Sequence, residues 1–473
     1  MRLIIAILIL ALSAARPAAA QDNEAANRLF VGAVGAWTEA QTLTGDDPAI
    51  LSRRLALLEI VAANLKRIVA DHPGANLAVR LVIGESVGPL SISEVNMAVR
   101  EAHCMVGPDR VCVLVWALRE VRGIENAGAR ADSLADIAAV NRDPALLAEA
   151  LDTAQGIEDA VLRAAILADI ASAQAKVGLF AEALDSARGI KFAAYRVHTL
   201  ADIASAQAET GLIAEALEIA RGIENAWARA DALADIAVAQ RDPELFAEAL
   251  ESARGIDNAE NRTDALADIA SAQAEAGLFA EALEVALGID NAEDRTDALA
   301  DIASAQAEAG LFAEALEVAR GIENAGARAD ALADIAVAQR DPELFAEALD
   351  SARGIKFATY RAHALAYIAS AQAEAGLFVA ALDSARGIEN AGARADALAD
   401  IAVAQRDPEL FAEALDSARG IKFATYRAHA LAYIASAQAE AGLFVAALRT
   451  AREIRETRQR FKAFANIAAF LPE

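Results

Sequence analysis

Gly-Ile, or a close variant of it, recurs at Ile124, Ile157, Ile190, Ile223, Ile256, Ile289, Ile322, Ile355, Ile388, Ile421 and Ile454, and every interval is 33 residues. A fixed period of this size marks one supersecondary unit stacked many times, since such a unit cannot bury its apolar face alone. Ten full units run from Glu125 to Ile454, and a half unit, residues 455–473, follows. The unit Glu323–Ile355 shows the pattern. Leu332, Ile335, Ala336 and Gln339 are spaced i, i+3, i+4, i+7, and so are Phe345, Ala348, Leu349 and Ala352. That spacing predicts two amphipathic helices, A and B. The expected fold class is all-α, an α-α solenoid of helix–turn–helix repeats.

The turn between A and B comes in two chemistries. In one, Asp-Pro (Asp143-Pro144, Asp242-Pro243, Asp341-Pro342, Asp407-Pro408) supplies an N-cap and a first-turn proline for helix B. In the other, Gly178, Gly211, Gly277, Gly310, Gly376 or Gly442 stands where helix A stops in a left-handed residue. A second glycine, as at Gly321 or Gly354, is expected to end helix B the same way. Residues 323–388 and 389–454 differ only at Asp383/Arg449, Ser384/Thr450 and Gly387/Glu453, the trace of a duplication.

The segment ALADIASAQAEAGLFAEALEVARGI (298–322) resembles the tetratricopeptide repeat. The likeness lies in Ala303 of helix A, the Gly310 turn, Phe312 two residues on, and Ala315-Leu316 of helix B, and it extends over 91–473. It implies a right-handed superhelix whose inner face is lined by helix A. The chain departs from the family in its 33-residue rather than 34-residue period. It also has Leu299 and Gln306 where large aromatics are expected, and no proline after helix B. Some family members clamp a carboxylate with inner Lys and Asn. Here the comparable positions are mostly Ala or Ser, as at Ala333 and Val337, so that clamp is not expected.

The ends differ from the array. Residues 1–20 read as a signal peptide: Met1-Arg2, an apolar run Leu3–Leu12, then Ala18-Ala19-Ala20, with cleavage after Ala20. The expected location is the periplasm or the exterior. Residues 21–90 form an N-terminal helical region, with helices at 23–42 and 48–71 and a weaker one at 75–83. There His72 reads as a helix-end residue. Residues 91–124 are a degenerate capping repeat. Its Cys104 and Cys112 are the chain's two cysteines, and in an oxidising compartment they are expected to form a disulfide across a helical turn. With His103 they would still fall short of a zinc site. Residues 455–473 form a capping helix; from Arg449 onward there are six basic and three acidic residues.

Charge narrows the partner. The chain carries a net −26, and residues 125–473 alone hold 31 basic and 57 acidic residues. Such a field repels nucleic acid and anionic membranes. No phosphate-cradling loop, nucleophile elbow or metal-ligand cluster is present, so no catalytic residue, metal or cofactor is expected and the chain is not read as an enzyme.

Two sets of positions stand out. Arg130, Arg163, Arg196, Arg229, Arg262, Arg295, Arg328, Arg361, Arg394, Arg427 and Arg460 occupy one repeat position, each four residues before a core Leu or Phe. They are read as structural, capping the preceding helix B or pairing with an acid there; a ladder of anion sites is the rival. Another helix-A position holds Asp231, Asp264, Asp297, Asp330 and Asp396, or else His198, His363 and His429. Tyr195, Tyr360 and Tyr426 precede those histidines by three residues, and Tyr367 and Tyr433 follow the last two by four. These Tyr and His residues are the candidate binding residues, with Tyr as rigid anchors and Asp selecting basic side chains. The expected function is an exported protein–protein interaction scaffold that takes a peptide or protein, favourably a basic one, on its inner face. The alternatives are a self-assembling envelope element, using the acidic array against the basic end, and an enzyme housed in residues 21–90.

Overall fold

A computed structural model describes the backbone of residues 2–44 and 47–472 and the side chains from residue 22 onward, apart from 45 and 46. The expected signal peptide and its cleavage point after Ala20 therefore lie outside the described side chains. No helix among the described residues is long and apolar enough to cross a membrane. The chain is all-α, and its contacts divide it into two compact units, residues 1–115 with 471–473 and residues 116–470.

In the first unit, α1 (Arg2–Thr42), α2 (Pro48–Asp71), α3 (Asn76–Val82) and α4 (Ile92–Val106) pack around Val61, Leu65, Ile68, Leu81, Leu90 and Val95. Asp47 caps α2 by accepting from the Ala49 N–H, with Pro48 in the first turn. Ser91 caps α4 through the Glu94 N–H at 3.2 Å. The His72 N–H bonds the Ile68 carbonyl at the end of α2, and its Nδ1 lies 3.0 Å from Asp22 Oδ1. Cys104, near the end of α4, is bonded to Cys112, near the start of α5 (Arg110–Arg122), with Cα atoms 5.8 Å apart. The division between units falls inside α5, at Trp116.

The second unit holds the repeats. Its A helices are α6 (Ala127–Asn141), α8 (Ala160–Lys176), α10 (Ala193–Glu209), α12 (Ala226–Gln240), α14 (Ala259–Glu275), α16 (Ala292–Glu308), α18 (Ala325–Gln339), α20 (Ala358–Glu374), α22 (Ala391–Gln405), α24 (Ala424–Glu440) and α26 (Thr457–Phe470). The odd-numbered B helices lie between them, from α7 (Pro144–Gln155) to α25 (Phe444–Glu453). Each A helix packs on the next A helix, whereas each B helix packs on its own A helix and the following one. The A helices thus form a continuous layer, and α26 packs back on α6. The solenoid is closed, with the A layer as its tight inner ring.

The C-terminal helix α26 does not cap an open end; it forms the closing seam. Phe461, Phe464, Ile467 and Ala468 are buried. Phe464 meets Trp116 edge-on with ring centroids 5.7 Å apart, and the Arg452 guanidinium lies 4.2 Å above the same indole. Arg458 pairs with Asp132, Arg460 with Glu120, and Lys462 Nζ lies 2.9 Å from Asp136. The basic end meets the acidic start of its own array.

The two turn chemistries place the A–B boundary differently. At Gly310 (φ 79°) the Leu311 N–H reaches back to the Gln306 carbonyl at 2.8 Å, and helix A has run for 17 residues. In the Asp-Pro unit helix A runs for 15, and the left-handed residue is Arg340 (φ 56°), with the Asp341 N–H on the Ala336 carbonyl at 3.1 Å. Arg142, Arg241 and Arg406 do the same. The stop comes three positions earlier in the unit, so helix B begins three earlier. Phe345 then sits one turn inside its helix and is buried, whereas Phe312, at the equivalent position, opens its helix and is half-buried. An arginine in the left-handed region costs about 1 kcal/mol that glycine does not incur. Arg340→Gly should therefore raise stability by up to about 1 kcal/mol, and Gly310→Ala should lower it by about as much, both read from denaturant midpoints at unchanged m.

The second glycine does not behave as expected. Gly354 has φ −69°, and Gly321 is the last residue of its helix. Helix B runs into an extended isoleucine, such as Ile322 (φ −68°, ψ 122°), and no left-handed residue is needed.

Candidate functional site

That extended isoleucine explains the arginine ladder. In all eleven cases Nη1 donates to the carbonyl of the isoleucine six residues earlier, for example Arg328 to Ile322 at 2.7 Å and Arg262 to Ile256 at 2.7 Å. Arg229, Arg328 and Arg394 also direct Nε to a serine hydroxyl on the following B helix (Ser252, Ser351 and Ser417). The side chains are partly buried and spent on backbone. Each satisfies a carbonyl at the exit of helix B with a charge-assisted bond.

Of the two expected inner positions, Val337 faces the open side of the A layer and Ala333 does not. Ala333 is buried. The residues facing the groove are Asp334, Val337, Ala338 and their counterparts in neighbouring units. A groove of about 620 Å³ is lined by residues of α16, α18, α20, α22 and α24 alone, and by no B-helix residue. Beside it, toward the N-terminal ends of the same helices, lies a cleft of about 1140 Å³. The two share Tyr367, Ser370 and Asp400.

A hydrogen-bond ladder crosses the repeats on this face. Ser271 donates to Asp301 at 2.7 Å, Ser304 to Asp334 at 2.5 Å and Ser370 to Asp400 at 2.5 Å, and Ser172 pairs with Asp202. Each link joins one A helix to the next. The Tyr367 hydroxyl donates to Asp334, and the Tyr433 hydroxyl to Asp400 at 2.5 Å. These tyrosines, each 45% exposed, are thus members of the ladder rather than free anchors. Burial first, then the neighbouring aspartate, holds both phenols well above their usual range.

The acids of this face crowd one another. Burial, then Asp235 and Asp268, pushes the Asp231 carboxyl up to about 7. Burial with Asp264 and Asp235 takes Asp268 to about 6. Burial with Asp334 takes Asp330 to about 6, and burial with Asp400 does the same for Asp396. One carboxyl oxygen of Asp330 and one of Asp396 are buried without a hydrogen-bond partner.

The structure brings some of the Tyr and His candidates together and separates others. Tyr360, His363, Tyr367 and Tyr433 line the large cleft with Asp330, Asp396 and Asp400. Tyr426 is exposed, and His429 Nε2 lies 3.2 Å from Gln459 Nε2. Tyr195 and His198 belong to α10, away from this cleft; the His198 ring stands 5.0 Å from that of Trp227, and Tyr195 is half-buried. The serine–aspartate ladder was not read from the sequence. Its signal was there, since the Ser of one unit and the Asp of the next recur 30 residues apart. No group of three or more metal-ligating side chains is assembled among the described residues.

No family model matches the chain, and no curated protein matches it. Among solved structures it is similar to Ton1535 from Thermococcus onnurineus NA1, at 18% identity over 72% of this chain and 98% of that one, with a TM-score of 0.24. It is also similar to a circular tandem repeat protein with novel repeat topology and enhanced subunit contact surfaces, at 14% identity over 93% and 98%, with a TM-score of 0.15. By its own helix pairing and 33-residue period, the chain is an all-α helical-repeat protein.

Proposed function

We propose that this chain is an exported interaction scaffold, akin to tetratricopeptide-repeat proteins, that holds a basic peptide or protein segment on the inner face of its A layer and performs no chemistry itself. The observation that carries the reading is the groove built from five successive A helices and no B helix, with acids on its walls and tyrosines in its ladder. Burial first, and the neighbouring acids after it, disfavour the charged form of these carboxyls, and a cation beside them favours that form. The bonded Cys104–Cys112 pair and the leader-like residues 1–20 support a location in the periplasm or outside the cell. The head-to-tail assembly reading is weaker, because the basic residues that would reach another copy are paired within the chain.

The test is a photo-crosslinking amino acid placed in the producing cell either at Val337, in the groove, or at Glu317, on the B helix α17 (Phe312–Gly321). A defined adduct from Val337 and none from Glu317 is expected. Equal capture from both positions, or none from Val337, would remove the inner-face reading.

A further inference from the structure

Seven A helices open on an Asn or Asp whose side chain accepts from the first-turn N–H groups: Asn126, Asp159, Asn225, Asn258, Asn291, Asn324 and Asn390. Three do not. In α10, α20 and α24 that seat holds Phe192, Phe357 and Phe423, and no side chain caps the helix. Phenylalanine at this seat forfeits the cap, and burial does not compensate. Phe357 is 70% exposed and Phe423 71% exposed. One turn on, Tyr360 and Tyr426 are each 68% exposed, and each stands edge-on to its phenylalanine with ring centroids 6.1 Å apart. Local rules broken without a folding gain are expected where a surface serves binding.

The surroundings fix the chemistry of the occupant. Phe357 and Tyr360 form one wall of the large cleft, which also carries Glu293, Asp297, Asp330 and Asp396 against the single cation Lys356. Asp396 precedes Tyr426 by 30 residues, as Asp330 precedes Tyr360. An aromatic pair that shares a cleft with carboxylates suits a lysine or arginine side chain, which gains the ring face and the charge together. Resting on the inner-face reading above, we infer that Phe357/Tyr360 and Phe423/Tyr426 are two clamps for basic side chains of one extended segment, the first among the acids of the cleft and the second with Asp396 as its matching acid. The clamps lie two A helices apart. At about 8–10 Å per helix step they are roughly 16–20 Å apart, which an extended chain at about 3.3 Å per residue spans in roughly five to six residues. The partner segment carries two basic residues at about that separation.

The probes are fluorescein-labelled Gly/Ser peptides with one lysine, or with two lysines placed two, five or nine residues apart, read by anisotropy against the full chain. The five-residue spacing should bind at least ten-fold more tightly than the single-lysine peptide, and the other spacings should fall between. Phe357→Ala/Tyr360→Ala/Phe423→Ala/Tyr426→Ala should abolish that spacing preference while the circular dichroism stays helical. Leu should not substitute for Tyr at 360 and 426, whereas Phe should. A flat response to spacing, or a preference that survives the four-alanine variant, overturns the clamps; with the Val337 adduct intact it overturns the clamps alone. Loss of the Val337 adduct overturns the reading beneath them.

Discussion

Truncation after Ile454 is expected to open the ring and cost more stability than any single substitution in the array. The seam buries Phe461, Phe464 and Ile467, and each such side chain contributes roughly 1.5–3 kcal/mol on burial. Their loss alone is therefore on the order of 5 kcal/mol, before the newly exposed faces of α6, α24 and Trp116 are considered. The ion pairs across the seam are lesser contributors. Arg458 and Lys462 are solvent-accessible, and exposed pairs are worth up to about 1 kcal/mol each. The expected order follows: truncation lowers the unfolding midpoint and increases the radius of gyration in solution scattering, whereas Arg458→Glu/Lys462→Glu shifts the midpoint modestly and adds salt dependence. Unchanged scattering after truncation would show that the seam does not hold the ends together.

The second large effect is a loss of stability as the solution passes from acid toward neutral pH. Asp231 is pushed up to about 7, and Asp268, Asp330 and Asp396 to about 6, above the ordinary carboxylate value near 4 of an unfolded chain. A carboxyl raised in the folded state holds its proton more tightly there. Its contribution is fully present below the unfolded value near 4 and is lost as pH rises from there through the folded values of about 6 to 7. Glu149, Glu248, Glu347 and Glu413 act in the opposite sense, since hydrogen bonds from Arg122, Arg221, Arg320 and Arg386 hold them below their usual value. Their contribution fades only as pH falls below the carboxylate range. Maximum stability is therefore expected near the ordinary carboxylate value, at about pH 4 to 4.5. Thermal midpoints at fixed ionic strength should drop by several degrees from pH 5 to pH 8, and Asp231→Asn/Asp330→Asn/Asp396→Asn should flatten that slope. A midpoint that rises over this range would contradict the account.

The repeat was legible because its determinants are local. Apolar spacing, Asp-Pro caps and left-handed glycines are written within single units, and the helices follow them. What escaped reading depends on neighbours. Arg340 in the left-handed region has no glycine to announce it; its signal is the Asp-Pro that follows, which pulls the boundary forward by three positions. Gly354 looks like a helix terminator, but the extended isoleucine after it and the arginine six residues on already satisfy that end. Tyr367 reads as a surface anchor from spacing alone, and only the aspartate one repeat earlier, Asp334, draws it into the ladder. The closing seam was the least legible feature. Arg458 and Asp132 are 326 residues apart, and nothing in a period specifies how many units complete a turn.

That number is a constraint of its own. An open stack can gain or lose a unit at little cost, because each neighbour keeps its angle. A circle cannot. Eleven A helices share one full rotation at about 33° apiece, and two fewer would require about 40° at every interface. The near-identical blocks 323–388 and 389–454 record the insertion of two units at once. For the ring to remain shut, the insertion had to be absorbed as a small relaxation spread over every junction. The circumference, and with it the width of the opening, is thus set by arithmetic on whole repeats rather than by any one residue.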